Sequence, residues 1–259
     1  MGRLNLFLKG NLDLRDSLHA FRVKDGPGWN GINAVLRARY PGTLARVRHE
    51  TYTRSDGLVR ADGVIPPALT EKSLPMGAYP LASQFSTAVF DAEADVVIFS
   101  VMQEVMAGMT QARAGDYRLY IDSATGWTPA DKDWLRAAFA PLPRLDVDQS
   151  MENFARIIER RRETSDAPIL IYNMSSAVPG EWIPCHQGVE GALSTRIKRF
   201  NLGLVELSEA TGVSIVDVDR VLARNGGDRL RIDTLHLNAE GCRLVAEEVA
   251  AILADLGCL

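Results

Sequence analysis

The feature that most constrains this chain is a series of short, nearly unbroken apolar runs separated by helix-length amphipathic stretches. Asp95-Val96-Val97-Ile98-Phe99-Ser100 is the clearest run. Apolar residues in succession, without alternation, suit a parallel strand covered on both faces. Pro168-Ile169-Leu170-Ile171-Tyr172 and Val213–Val218 repeat the pattern. Leu4–Leu8 reads as a first strand, although the alternation Leu4, Leu6, Leu8, Gly10, Leu12, Leu14 could carry it further, and Leu44–His49 reads as a second. Between them Asn30–Arg39, Met151–Arg162, Leu193–Thr211 and Ala239–Leu256 have helical periodicity, with Pro41-Gly42 and Gly212 as stop signals. Strands alternating with helices at this spacing predict an α/β fold: a three-layer α/β/α sandwich around a central, mostly parallel sheet.

No internal repeat or low-complexity linker divides the sequence, so residues 1–259 read as a single domain. Val59–Pro80, rich in Pro and Gly, reads as loop. Residues 103–150 read as an insertion with some structure of its own, because Tyr117, Tyr120, Trp127 and Trp134 lie there among Gly, Pro and Asp. The N-terminal apolar run is broken at Lys9 and is too short for a signal peptide. Nothing approaches the roughly 20 apolar residues of a membrane span. The expectation is a cytoplasmic protein with no membrane partner.

A net charge of −4 gives no footprint for nucleic acid, whose binding needs concentrated Lys and Arg. Arg160-Arg161-Arg162 ends a helical run, where cations complement the macrodipole. Cys185, Cys242 and Cys258 are odd in number and widely spaced, which argues against a disulfide framework or a metal site. No His/Asp/Glu cluster has ligand spacing either, so no metal or cofactor is expected.

In open α/β sheets chemistry collects at the carboxyl ends of the strands. The segments that follow the strands are Gly10–His19, Glu50–Gly57, Val101–Glu104 and the stretch leading to Asp233 and His236. An Asp three residues before a His can pair carboxylate with imidazole, fixing its tautomer and stabilising the imidazolium. With a serine, a glycine and an amide side chain on the same edge, this set supplies a nucleophile, oxyanion donors and an oriented base.

These blocks resemble the SGNH/GDSL hydrolase superfamily. Asp16-Ser17-Leu18 is similar to its Gly-Asp-Ser-Leu block, with Arg15 in place of the glycine, and Trp29 follows at a familiar distance. Gly57 resembles the second-block glycine. Asp95–Glu104 resembles the third block, but its asparagine is absent and Gln103 is the nearest amide. Asp233-Thr234-Leu235-His236-Leu237-Asn238-Ala239-Glu240-Gly241 resembles the last block closely, with Phe200–Val213 before it. The resemblance implies an SGNH-type, flavodoxin-like sandwich that cleaves an O-acyl ester on a small molecule or glycan. Ser17 would attack, His236 take its proton and Asp233 orient the ring, while the Ser17 and Gly57 N–H groups, with Gln103 or Asn11, hold the oxyanion. A second register stays open: if Gly10-Asn11-Leu12 is the counterpart of Gly-Asp-Ser, Leu12 holds the nucleophile position. The altered first and third blocks then suit a binding or accessory protein. O-acyl transfer by the same triad is the remaining alternative.

Each candidate also has a plain structural reading. Ser17 fits the first turn of a helix capped by Asp13. His236 fits a hydrogen-bonded core histidine, Gly57 a turn, and Gln103 and Glu104 a solvated strand end. Arg54 is a loop arginine or a contact for an anionic group. His19 is a further base candidate of lower rank, His186 falls in the connection where the family often builds its substrate wall or is a surface loop residue, and Trp127 and Trp134 suit a local hydrophobic cluster. The sequence leaves the oligomeric state open.

Overall fold

The computed structural model describes residues 2–19, 31–182 and 188–259. Trp29, Asn30, Cys185 and His186 lie outside the described residues. In chain order the strands are β1 (Gly2–Gly10), β2 (Thr43–Thr51), β3 (Val96–Ser100), β4 (Met109–Ala112), β5 (Arg118–Leu119), β6 (Phe139–Leu142), β7 (Ile169–Tyr172) and β8 (Ser214–Val216). Helices of seven residues or more are α1 (Leu12–Leu18), α2 (Ile32–Arg39), α3 (Pro129–Ala138), α4 (Val147–Arg162), α5 (Leu193–Thr211), α6 (Val218–Asn225) and α7 (Ala239–Asp255). They fall into two compact units: Met1–Glu50, Glu93–Met102 and Ser165–Leu259 make the first, and Thr51–Ala92 with Gln103–Thr164 the second.

The first unit is built on a five-stranded sheet of order β2-β1-β3-β7-β8. The β1–β3, β3–β7 and β7–β8 pairs are parallel, with Leu8 opposite Ile98 and Ile98 opposite Leu170. Successive side chains leave opposite faces of a strand. Leu6 and Leu8, Val96 and Ile98, Leu170 and Tyr172 therefore share one face, where they pack with Leu14 and Leu18 of α1, Leu36 of α2, Leu222 of α6 and Val249 of α7. Phe7, Val97, Phe99 and Ile171 point the other way and are buried just as fully, as are Ile197, Phe200 and Leu204 of α5. Burial on both faces makes this a parallel sheet flanked by helices, as the unbroken apolar runs imply.

The expected boundaries are close. The Leu193–Thr211 helix is found as read, and Gly212 ends it at φ 71°, the left-handed cap, with its N–H on the Ser208 carbonyl. The strand expected over Val213–Val218 is shorter, because Asp217 accepts a hydrogen bond from the Arg220 N–H and caps α6. That helix went unread in the sequence.

The second unit contains the stretch 103–150, read as an insertion from the sequence. That stretch shares its unit with residues 51–92, including the presumed loop after Val59. It has an antiparallel sheet of order β5-β4-β6. Leu69, Phe85, Leu119 and Phe139 form its core, with Tyr117 and Trp134 edge-on to Phe139. Trp134 thus belongs to a local cluster, and Trp127 is buried with its Nε1–H directed at the Pro75 carbonyl. Arg54 is no exposed loop arginine: buried, it grips Asp56 with two hydrogen bonds of 2.8 and 2.6 Å. Nor is Glu104 a solvated strand end. It is buried and accepts from Tyr52 Oη at 2.6 Å, the Ser55 N–H at 2.7 Å, Ser55 Oγ at 2.8 Å and Ser150 Oγ at 2.7 Å.

Candidate functional site

The loop before α7 pairs Asp233 and His236 by local backbone geometry. Asp233 Oδ1 accepts the N–H groups of Leu235 and His236, each at 2.8 Å, which curls the loop back on itself. The imidazole then lies with Nδ1 2.7 Å from Asp233 Oδ2. Asn238 caps α7 through the Gly241 N–H at 3.0 Å, and the Ile232 N–H donates to the His236 carbonyl at 2.9 Å. Glycine is required at 241, where a Cβ would stand 2.7 Å from the Leu230 carbonyl oxygen. Donation from Nδ1 to the carboxylate leaves Nε2 as the basic nitrogen. The two side chains are 32% and 54% exposed, His236 the less so. Burial pushes the Asp233 carboxyl up, but donation from the Leu235 N–H, the imidazole and the His236 N–H outweighs it, and the net direction is downward.

Ser17 is placed differently from the expectation. It is 0% exposed and sits near the C-terminal end of α1, not in its first turn. Its Oγ donates to the Asp13 carbonyl one turn back at 2.6 Å and lies 3.2 Å from Tyr172 Oη. Its N–H belongs to the helical ladder. The residue at the start of α1, directly after β1 and Asn11, is Leu12. At 1.5 Å rise per residue Ser17 lies about 7.5 Å further along the axis. The strand-to-helix turn after β1 thus falls at Gly10-Asn11-Leu12. Asn11 is 2% exposed, and both polar atoms of its side chain are buried without a partner.

Gly57 and Gln103 both belong to the second unit. The Gly57 N–H donates to the Arg54 carbonyl at 2.9 Å, and Gln103 Nε2 donates to Tyr79 Oη at 3.1 Å. Gly57 and Gln103 thus each already serve a local hydrogen bond.

The sequence reading missed a buried polar group beside this loop. Asp13 Oδ2 accepts from Ser100 Oγ, while Oδ1 is shut from solvent without a partner. Burial pushes the Asp13 carboxyl up against the opposing bonds from Ser100 and nearby N–H groups. Asp13, Ser175 and Arg231 line a cavity of about 40 Å³ with Tyr172, Thr234 and Leu235. The available signal was a charged residue between Leu12 and Leu14. Among the described residues no cluster of three or more His, Cys, Asp or Glu could hold a metal ion.

The parallel sheet and its flanking helices give this chain a fold similar to that of solved esterase and lipolytic-protein structures, at low sequence identity. No family model and no curated protein sequence matches it. Among solved structures it is similar to LAE5, an alpha/beta hydrolase enzyme from the metagenome of Lake Arreo, Spain, with a TM-score of 0.53 at 15% identity over 99% of this chain and 96% of that one. The acetyl xylan esterase AlAXEase gives 0.52 at 12% identity, covering 96% of this chain and all (100%) of its own. A lipolytic G-D-S-L family protein from Veillonella parvula gives 0.51 at 12% identity, with 96% and 98% covered. No helix among the described residues is long and apolar enough to cross a membrane.

Proposed function

We propose that this chain is an SGNH-like protein that binds an acylated small molecule or glycan and has given up the serine-nucleophile mechanism. The observation that carries this reading is Ser17: its hydroxyl is fully buried and back-bonded to the Asp13 carbonyl within α1. A nucleophile must reach an acyl carbon at about 3–3.5 Å, and Leu12 occupies the strand-to-helix turn where such a group would stand. The similarity to an acetyl xylan esterase supports an acyl-bearing ligand.

A second reading keeps ester hydrolysis, or O-acyl transfer to an alcohol, through Ser17, His236 and Asp233 with Asn11 as an oxyanion partner. The preformed Asp233–His236 pair at 2.7 Å favours it. Turnover of p-nitrophenyl acetate and butyrate by the wild type, Ser17→Ala and His236→Ala, with fluorophosphonate labelling, separates the readings. Removing a working serine nucleophile lowers kcat by several orders of magnitude. The binding reading expects equal background turnover in all three and no label on Ser17. Turnover and labelling that both vanish in Ser17→Ala would overturn it in favour of the hydrolase.

A further inference from the structure

The second unit holds a cleft of about 390 Å³ whose wall is rich in arginine: Arg54, Arg60, Arg118 and Arg156 all line it. That volume lies within the roughly 300–1,000 Å³ of small-molecule sites. The arginines come from separate elements. On α4, Gln149, Glu152, Asn153 and Arg156 recur at spacings of three and four, so they share one face, away from the buried Phe154, Ile157 and Ile158. On β5, Leu119 enters the core of the unit, and alternation turns its neighbour Arg118 toward the cleft. Arg54 and Arg60 flank the short helical turn Ser55–Leu58.

The partners of these arginines decide what the cleft lacks. Arg54 is spent: it holds Asp56 with Nε and Nη2 and donates through Nη1 to the Ala107 and Pro143 carbonyls. Arg118 shares the Asp56 carboxylate through Nη1 and gives Nε to Gln111 Oε1 at 3.2 Å, while its Nη2 has no hydrogen bond among the described residues. Arg60 donates through Nη1 to Asp116, which is 76% exposed. Arg156 is exposed and has neither hydrogen bond nor ion pair among the described residues, not even with Glu152 one turn before it. Four guanidiniums are thus set against three carboxylates, those of Asp56, Asp116 and Glu152. The free N–H groups belong to Arg60, Arg118 and Arg156.

We propose that this cleft binds a small molecule carrying a tetrahedral oxyanion, a phosphate or sulfate monoester, with Arg118 and Arg156 holding the anion. Guanidinium N–H pairs match the oxygens of such a group, and charge-assisted bonds of this kind are the strong ones. The free donors stand on different walls, α4 and β5, which suits three oxygens set around a tetrahedral centre better than the two of a planar carboxylate. Leu142 and Leu145 supply apolar wall for a ring-sized body beyond the anion. The cleft contains none of Ser17, Asp233 or His236, so the proposal holds whether or not the protein turns over an ester.

The test is calorimetric titration of the full chain with phenyl phosphate, phenyl sulfate, benzoate and phenol at equal ionic strength. Saturable binding of at least one of the two esters is expected, with a Kd of about 1 mM or tighter. The tighter of the two assigns the anion. Benzoate and phenol are expected to bind about tenfold more weakly or worse. Arg118→Gln and Arg156→Gln are each expected to weaken the ester by about tenfold or more. Arg156 has no partner to strand, so its variant keeps the test valid if Arg118→Gln fails to fold. Glu152→Gln removes an opposing charge from the wall and should tighten binding several-fold. Arg224→Gln, on α6 of the first unit, should leave it unchanged. The proposal is overturned by no saturable binding of either ester, by benzoate or phenol binding as tightly, by binding that Arg156→Gln leaves undiminished, or by an equal loss in Arg224→Gln.

Discussion

Replacing Glu104 tests whether the buried carboxylate network organises the second unit. Its oxygens accept four hydrogen bonds, from Tyr52 Oη, the Ser55 N–H, Ser55 Oγ and Ser150 Oγ. In Glu104→Ala the serine hydroxyls can rotate toward other acceptors, but the Ser55 N–H and Tyr52 hydroxyl are held in place. A stranded buried donor costs about 1–3 kcal/mol, so these two cost about 4 kcal/mol together. Removing a carboxyl whose charged form is penalised by burial returns about 1 kcal/mol, within the usual penalty for a buried, hydrogen-bonded polar group. The expected net loss is therefore about 3 kcal/mol, or a fall in Tm of roughly 6–12 °C at the usual scaling for this chain length. Glu104→Gln keeps one acceptor oxygen but turns an amide N–H₂ toward donors, and should lose about 2 kcal/mol. The assay is urea denaturation followed by tryptophan fluorescence. Trp127 and Trp134 belong to the second unit, whereas Trp182 of the first is 98% exposed and changes environment little on unfolding. A loss below about 1 kcal/mol in Glu104→Ala would refute the reasoning, since it would mean that the stranded donors find partners at no cost.

Four further outcomes are expected. The native Asp13 carboxyl binds its proton more tightly than the unfolded one, so its stabilising contribution is full below its ordinary pKa of about 3.9 and is lost as pH rises through the raised native value; urea midpoints measured across pH should show that this slope disappears in Asp13→Asn. Gly241→Ala should lower stability by about 2 kcal/mol in the same titration, because its new methyl would stand 2.7 Å from the Leu230 carbonyl oxygen. Asp233→Ala should cost about 1 kcal/mol, nearly all of it from the lost loop bonds to Leu235 and His236, since a half-exposed ion pair adds little. Alkylation of the native protein mapped by mass spectrometry should modify the partly exposed Cys258 well before Cys242, which is buried and whose thiol is pushed up to about 12 by that burial.

The parallel sheet was legible because its strands are covered on both faces, and that leaves a contiguous apolar signature in a single sequence. Asp233 and His236 were legible for a different reason: a three-residue spacing on one loop forms its own hydrogen bonds and needs no distant partner. The burial of Ser17 was not legible, because Asp-Ser-Leu has the same composition in a strand-to-helix turn as in a buried helical turn. Only the end of β1 at Gly10 separates the two. The second unit stayed hidden because it is assembled from two separate stretches of chain around aromatic contacts such as Tyr117 with Phe139, and pairings of that kind leave no periodicity to read. The Asp13 cavity required knowing which polar atoms lack partners, a property of packing and not of spacing.

The place of α7 has a consequence for synthesis on the ribosome. Leu14, Leu18 and Leu36 share their apolar cluster with Val245, Val249 and Leu253 of α7, a helix translated more than 200 residues later. Until residues 239–255 emerge, the nascent chain carries an uncovered greasy seam along α1 and α2. Translational pausing before that point would hold the seam open to chaperones or to neighbouring nascent chains. The loop that pairs Asp233 with His236 would meanwhile lack the helix that anchors it.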